Sequence, residues 1–266
     1  DQNDLTNRIS NKMIRPTTIP QTLDGLIFEQ AIAREALRLS FIQHKEFAVE
    51  LKGVQKERTI SDAFDQSTSG QSLVDMNKLD MIVGSGGVLS HAPRRNQAAR
   101  MLIDAFLPEG ITELAVDSIF MMPQLGILST IHEDAAIQVF EKDCLIRLGT
   151  CIAPNGNSSN NTVLNYNINV NDNIFKGSLK KGELKVIPAN YEEYVAILEP
   201  TQGFDIGAGN NERLETKIYG GEVGIILDGR GRNPFKISLN ADERVQSLIA
   251  WSDSTNEYPD MESLNV

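Results

Sequence analysis

The chain has 266 residues, of which 41% are hydrophobic, so it can bury one large core or two modest ones without disulfide or metal support. Its formal charge is -11, from 25 basic and 36 acidic side chains, which argues against a surface that binds DNA, RNA or an anionic membrane by charge. No stretch reaches the ~18 apolar residues of a membrane-spanning helix, and from the polar start we expect no signal peptide. We therefore expect neither nucleic acid nor membrane among the partners.

The cysteines and histidines indicate neither a metal site nor a familiar catalytic centre. Cys144 and Cys151 are seven positions apart, and no Cys or His spacing is typical of a metal site. We predict a reduced, cytoplasmic location. The three histidines are scattered and no nucleophile-base motif occurs, so the sequence indicates no catalytic residue and no metal ligand.

The N-terminal part is predicted to hold one long helix. Residues 1–20 are polar and contain two prolines that disfavour a helix, so we expect an extended lead-in. Thr22 or Asp24 is then a plausible N-cap, and apolar residues at three- and four-residue spacing predict an amphipathic helix to about His44. Residues 53–72 have little apolar periodicity and are predicted to form a loop.

The most informative stretch is a glycine-rich corner between a predicted strand and a predicted helix. The apolar residues 81–83 predict a short strand, which breaks at the sequence Gly84-Ser85-Gly86-Gly87, and Pro93 marks the first turn of a helix. Glycines after a strand let bare backbone approach a ligand, which favours a nucleotide site. A plain tight turn uses the same residues, and the pattern is neither a full G-x-G-x-x-G fingerprint nor a P-loop, so both interpretations stay open.

Ser90 and His91 extend this candidate site. They precede Arg94 and Arg95 at the start of the helix, where free N–H groups and two cations can meet a phosphate or the edge of an adenosine. A capping or surface role is the alternative for His91.

The segment that follows is predicted to complete an α/β arrangement. Residues 114–116 predict a second strand, residues 132–142 a helix and residues 145–152 a third strand. Between them, residues 119–131 are nearly all apolar, so we expect this segment to be buried between other elements, with Ser118 as the N-cap before it. The order of strands and helices favours the α/β class.

The character of the chain changes after residue 154. Residues 155–162 are rich in Asn and Ser and predict a linker or a loose hairpin loop. Alternating patterns then predict six strands, at residues 163–170, 174–179, 184–188, 194–199, 213–219 and 223–227. Asn240 is expected to cap a last helix, residues 241–251. We therefore predict an α/β domain at residues 1–154, a β-rich domain at 155–240, and a C-terminal helix and tail at 241–266.

Two further loops combine glycine with charged residues. Residues 203–209 have the composition of a phosphate or Mg²⁺ loop, and residues 228–232 carry two arginines that can bind an anion or a partner carboxylate. Turns between strands use the same residues, and the Asp-Gly pair in the second loop is typical of a hairpin.

Several stretches together resemble one family. They are residues 82–93 (IVGSGGVLSHAP), 115–123 (AVDSIFMMP), 148–154 (LGTCIAP), 203–209 (GFDIGAG) and 220–224 (GGEVG). The chain resembles the MutL/GlmL family, which is encoded beside adenosylcobalamin-dependent glutamate mutase and related aminomutases and is unrelated to the mismatch-repair MutL. That family is similar to the hydantoinase/oxoprolinase branch of the actin-like ATPase superfamily, with its RNase H-like halves, and is regarded as a reactivating chaperone for the mutase.

The resemblance implies a site and its ligands. The glycine corner would be the adenosine motif, and the implied nucleotide-binding residues are Gly84, Ser85, Gly86, Gly87, Ser90 and His91. ATP or ADP with Mg²⁺ would be the cofactor of the full-length protein. Cobalamin would be met only through the client, an adenosylcobalamin-dependent mutase or aminomutase in which inactivated cobalamin is exchanged.

One departure from the family pattern limits what this chain is expected to do alone. The family's phosphate loop, an Asp-x-Gly-Ser/Thr pattern on an early hairpin, is absent, so the chain resembles the C-terminal half and the N-terminal half becomes an expected partner. Because phosphate and metal ligands would come from that half, we do not expect this chain alone to be catalytic. The alternatives are a hydantoinase-type subunit that opens a cyclic amide, or a nucleotide-independent assembly scaffold.

Overall fold

A computed structural model describes residues 2–48, 73–232, 235 and 237–259. Within these ranges the helices are α1 (Gln2–Ile14), α2 (Leu23–Phe47), α3 (Gly87–Ser90), α4 (Arg95–Phe106), α5 (Met122–Ser129), α6 (Glu133–Val139) and α7 (Ala241–Ser254). A 3-10 turn at Met76–Lys78 precedes the first strand, and a π-helical turn at Phe140–Cys144 follows α6.

The described strands follow the alternating sequence pattern closely. They are β1 (Met81–Gly84), β2 (Gly110–Asp117), β3 (Leu145–Ala153), β4 (Asn155–Gly156), β5 (Thr162–Val170), β6 (Asn173–Lys180), β7 (Leu184–Ile187), β8 (Glu193–Pro200), β9 (Phe204–Asp205), β10 (Leu214–Tyr219) and β11 (Ile225–Asp228). All six strands predicted after residue 162 are present, which confirms that alternation of apolar residues was the right signal there.

The first sheet has five strands in the order β1-β2-β3-β11-β7. β1 runs parallel to β2, and β3 runs parallel to β11, whereas the β2–β3 and β11–β7 pairs are antiparallel. Successive side chains of a strand point to opposite faces. Ile226 of β11 therefore packs in the core beneath the helices, while Ile225 and Leu227 pack in the core shared with a second sheet.

The second sheet is antiparallel, in the order β10-β8-β5-β6. Its inner residues Leu164, Ile168 and Leu198 share one core with Ile152 of the first sheet. On the opposite face of the first sheet, helix α4 contributes most of the buried helical side chains, and Trp251 of α7 joins the same core. The described chain is thus a mixed α/β protein with several sheets and a C-terminal helix, which confirms the predicted class at that level.

The first sheet extends beyond the predicted domain boundary at residue 154. Both β7 and β11 come later in the sequence, yet they belong to the same sheet as β1, β2 and β3. Shared pairing does not measure independent folding, so the division into domains stays a prediction. The short pair β4–β9 also gives the predicted linker a pairing partner, because Asn155 and Gly156 pair with β9.

The N-terminal lead-in is not extended throughout, and that prediction was wrong for most of its length. Residues 2–14 form α1, because the prolines lie beyond its last residue and end the helix rather than prevent it. Ion pairs between Arg8 and Asp24 (2.8 Å) and between Lys12 and Glu29 (2.9 Å) hold α1 beside α2. Helix α2 itself was predicted correctly, and the Thr22 side chain caps it by accepting the N–H of Gly25 at 3.1 Å.

Two details near the glycine corner also differ from prediction. Pro93 does not begin the next helix: Arg94 is the N-cap of α4, and the single turn α3 fills the preceding stretch. The predicted loop at residues 53–72 lies outside the described residues.

The apolar segment at residues 119–131 is not buried, and that prediction was wrong. Of helix α5 only Leu125 is buried, while Ile127 is 71% exposed and the neighbouring Ile131 is 84% exposed. Among the described residues, α5 packs against α6 and its π-helical turn in a small cluster around Leu125, Ala136 and Cys144. A high content of apolar residues indicated burial, but the described part of the fold supplies no second surface to bury them.

Candidate functional site

The glycines at the end of β1 have two different roles. A Cβ on Gly84 would lie 2.9 Å from a methyl carbon of Leu89 and 3.0 Å from one of Leu102, so a larger residue here would require these leucine side chains to shift. Gly86 has φ +100°, which favours glycine, and an added Cβ at Gly86 or Gly87 would meet no atom within 4 Å. The corner is therefore packed at its base and open at its tip, as expected where a ligand approaches bare backbone.

A cleft of about 760 Å³ lies beside the open tip, and of the four corner residues 84–87 only Gly87 lines it. One wall is formed by residues 16–23 with the first turns of α2, and the other by Gly87, Val88 and His91 with the following Ala-Pro. Most of the lining is apolar, and Glu29, Gln30 and His91 are among its polar side chains. A concave, largely apolar space of this size with a few polar groups is typical of a small-molecule site.

Ser85 and Ser90 connect the corner to Asp117 at the end of β2. The buried Ser90 hydroxyl donates to the Asp117 backbone carbonyl at 2.5 Å, and the Ser85 hydroxyl lies 3.5 Å from the Asp117 carboxylate. The structure thus places Ser90 beneath the corner, where it fixes the corner to the sheet, rather than among the residues that line the cleft.

Asp117 also holds the start of the next helical segment. Its fully buried carboxylate accepts the backbone N–H groups of Met122 (3.0 Å), Met121 (3.1 Å) and Ile119 (3.4 Å). Burial alone would raise the pKa of this carboxyl, but the N–H donors outweigh burial and hold the pKa below its usual value. The expected N-cap at Ser118 was wrong, because α5 begins only at Met122 and its N-cap residue is Met121.

The two arginines expected near the ligand are used inside the chain. Arg94 donates to the carbonyl oxygens of Asn256 at 3.2 Å (backbone) and 3.0 Å (side chain), and Arg95 donates to the backbone carbonyl of Ser90 at 2.8 Å. His91 is exposed at the C-cap of α3 and lies on the cleft wall. Of Arg94, Arg95 and His91, only His91 lines the cleft.

In the two later glycine loops, the charged side chains form hydrogen bonds and ion pairs within the chain. The Asp205 carboxylate accepts the N–H groups of Gly207 (2.7 Å) and Gly209 (3.0 Å), which is the turn interpretation of that loop. Asp228 is fully buried and accepts from Arg230 (2.7 Å) and Arg232 (2.8 Å), so the partner carboxylate of these arginines belongs to the same loop. In the described residues that follow β11 no strand pairs back onto it, so the hairpin expected from the Asp-Gly pair is not seen there.

Sequence reasoning missed two parts of this region. Asp117 was missed because it lies between a predicted strand and a predicted helix, and the capping role was assigned to Ser118 instead. The cleft wall at residues 16–23 was missed because the lead-in carried no motif, and only tertiary packing places it opposite the glycine corner. Among the described residues, no group of three or more His, Cys, Asp or Glu side chains is arranged to hold a metal ion. Nor does any described helix have the length and apolar content needed to cross a membrane.

The fold and the corner define a mixed α/β protein with a largely apolar cleft beside a strand-to-helix turn. A family model described as MutL protein matches residues 1–144, more than half of the chain and including the whole glycine corner. The chain belongs to this family, the MutL/GlmL proteins associated with glutamate mutase. No curated protein and no solved structure matches the chain.

Proposed function

We propose that this chain is the C-terminal part of an ATP-dependent reactivating chaperone for an adenosylcobalamin-dependent mutase or aminomutase. The observation that carries the proposal is the open tip at Gly86 and Gly87 beside a cleft of about 760 Å³, within a chain of the glutamate mutase-associated family. On this proposal the fold is one half of an actin-like ATPase, the protein works in the cytoplasm, and the N-terminal half completes the cleft.

The residues around the cleft suit the nucleoside part of ATP or ADP. The apolar walls from α2 and from Val88 match the faces of a purine, while the exposed imidazole of His91 supplies a hydrogen-bonding group for its edge or ribose. Substituting Gly87 would place a side chain in the open space where backbone and ligand would meet. Mg²⁺-ATP, when bound, supplies the free-energy difference between two states of the protein, and its phosphates and metal would be held by the N-terminal half.

The hydrogen bonds of Asp117 connect the glycine corner to helix α5, and we propose that nucleotide binding changes the conformation of the protein through them. Ser85 lies in the corner within reach of the Asp117 carboxylate, and the same carboxylate holds the first N–H groups of the segment that leads into α5. A ligand that moves Ser85 therefore changes the hydrogen bonding of a group that also fixes α5. Nucleotide binding can shift a conformational population only through such a difference in interactions between the two states.

The test is reactivation of a cobalamin-inactivated glutamate mutase by the full-length protein with Mg²⁺-ATP. We expect mutase activity to return with ATP and not without it. A full-length protein that neither bound ATP nor restored activity would contradict the proposal. Restored activity without any nucleotide would instead favour the assembly scaffold, and opening of a cyclic amide without a mutase would favour the hydantoinase-type alternative.

A further inference from the structure

Residues 118–144 form a helical protrusion between the neighbouring strands β2 and β3. The backbone N–H of Ser118 donates to the carbonyl of Cys144 at 2.8 Å, which closes the neck of the protrusion. Inside it, α5 and α6 pack around a small core of Leu125, Ala136 and Cys144, with Met121 and Phe140 at its edge. The protrusion is thus a compact unit attached to the sheet at one end.

Most large apolar side chains of this protrusion are outside its core. Seven are exposed among the described residues: Ile119, Phe120, Ile127, Leu128, Ile131, Ile137 and Val139. Helix α5, with the sequence MPQLGILS, has no charged residue at all. Single exposed apolar residues are ordinary, but seven within 21 positions form an apolar surface of the kind found at interaction sites.

The charge around this surface narrows the choice of partner. Between residues 133 and 143 there are four acidic side chains, Glu133, Asp134, Glu141 and Asp143, against one lysine, and all five are exposed. An anionic lipid surface would be repelled by these carboxylates, whereas a protein surface with an apolar centre and a basic margin complements them.

The position of the protrusion relative to the glycine corner further narrows the choice of partner. The carboxylate of Asp117 that holds the first N–H groups of the protrusion is the one that Ser85 of the corner approaches at 3.5 Å. A partner whose affinity must follow the nucleotide state would best bind where the corner and the protrusion share this contact.

We propose that the apolar face of the protrusion, with its acidic margin, is the docking surface for the client mutase, which meets it with apolar and basic side chains. This inference rests on the proposed function, because the client is the mutase. It adds the place of contact, which neither the family match nor the glycine corner specifies.

The test measures binding of purified glutamate mutase to the full-length protein by biolayer interferometry, with Ile127→Glu as the main variant. Ile174→Glu is the matched control, because Ile174 is also 71% exposed but lies on β6 of the second sheet. We expect Ile127→Glu to weaken mutase binding at least tenfold and Ile174→Glu to leave it within twofold. Glu141→Lys should weaken binding about threefold and reduce its dependence on salt, since charged residues at an interface margin act mainly on the association rate.

The outcomes separate the two proposals. If the wild-type protein binds the mutase and Ile127→Glu binds equally well, the docking surface is wrong while the proposed function stands. If the wild-type protein does not bind the mutase at all, the proposed function and the docking proposal fail together. An effect of Ile127→Glu confined to self-association in light scattering, or to binding of anionic phosphatidylglycerol vesicles, would assign the surface to a second copy or to a membrane and overturn the proposal. Circular dichroism of each variant confirms that the helices are retained.

Discussion

Two loops that both follow a strand, and that looked alike as candidate ligand sites, are used in opposite ways. At the glycine corner after β1 the backbone of Gly86 and Gly87 is open and faces free space. At the end of β11, Asp228 is buried and both arginines of its loop are turned onto it, with Arg230 also reaching Asp104 at 2.7 Å. The first loop leaves open space at its tip, although the carbonyl oxygens of Gly86 and Gly87 accept N–H groups of the following turn, and the second loop pairs its charged groups within the fold.

The buried charge cluster around Asp228 is larger than the loop itself. Arg100 pairs with Asp104 at 3.1 Å and lies near Glu257 at 3.6 Å, so the cluster joins α4 to the segment after α7. Burial lowers the pKa of the Arg100 guanidinium to about 10, which still leaves it charged at neutral pH. The two arginines of this loop therefore already have carboxylate partners within the fold.

The largest expected effect comes from breaking the buried cluster. Asp228→Asn removes the carboxylate that pairs with two buried guanidinium groups, so we expect a loss of about 3–5 kcal/mol in the free energy of unfolding. Urea denaturation measures it, with the exposed Asp172→Asn as control. A loss no greater than that of the control would mean that the cluster contributes no net stability and that the contrast between the loops is wrong.

The second effect contrasts two glycines. A Cβ on Gly149 would lie 1.8 Å from the carbonyl oxygen of Gly224, and the φ of Gly149 is +130°, so Gly149→Ala should cost about 2–3 kcal/mol of stability. Gly87→Ala meets open space and no backbone strain, so it should change stability by less than about 1 kcal/mol. Thermal unfolding of the two variants side by side provides the comparison, and equal losses would show that Gly87 is packed rather than open.

The glycines of the corner show which features could be predicted from the sequence and which could not. The position of the corner followed from local chemistry, because an apolar strand that breaks into glycines is readable without any long-range contact. Which glycine packs and which stays open depends on Leu102 and on the absence of neighbours at the tip, and this is information about tertiary structure.

The same limit applies to helix α5 and to the arginine loop after β11. The exposed face of α5 has the composition of a core helix, and only the arrangement of β2 and β3 shows that nothing covers it within the described chain. The arginines of residues 228–232 carried the right chemistry, but their partner Asp104 is 126 positions away from Arg230. Alternation of apolar residues, by contrast, acts within each strand, which is why the strands were predicted well.

A smaller effect concerns the acid dependence of stability. The folded-state pKa of Asp117 lies below that of the unfolded chain, so its contribution is fully present above about pH 4 and is lost as the pH falls through the folded-state pKa. Asp117→Asn should therefore lower stability by about 1–2 kcal/mol at pH 7 and bring the variant closer to wild type at pH 3. Urea titrations at the two pH values measure this. A difference that is constant with pH would mean that the ionised carboxylate contributes nothing beyond its shape.

The smallest effect is expected at the two cysteines, which are buried, in contrast to the open glycine corner. Burial raises the pKa of the Cys151 thiol to about 12 and also raises that of Cys144, and both side chains are at most 1% exposed. Neither should react with Ellman's reagent in the native protein at pH 8 within minutes, whereas both should react in urea. Rapid reaction of Cys144 alone would show that the protrusion opens independently of the sheet.

The most direct test of the central claim is nucleotide affinity of the full-length protein at two matched glycines. Gly86 and Gly182 both have positive φ, +100° and +76°, and neither would meet an atom within 4 Å if a Cβ were added, so valine imposes a similar backbone strain at each. Isothermal titration with Mg²⁺-ATP should show that Gly86→Val weakens binding at least tenfold while Gly182→Val leaves it near the wild-type value. Equal affinities for the two variants would contradict the claim that the corner after β1 receives the nucleoside.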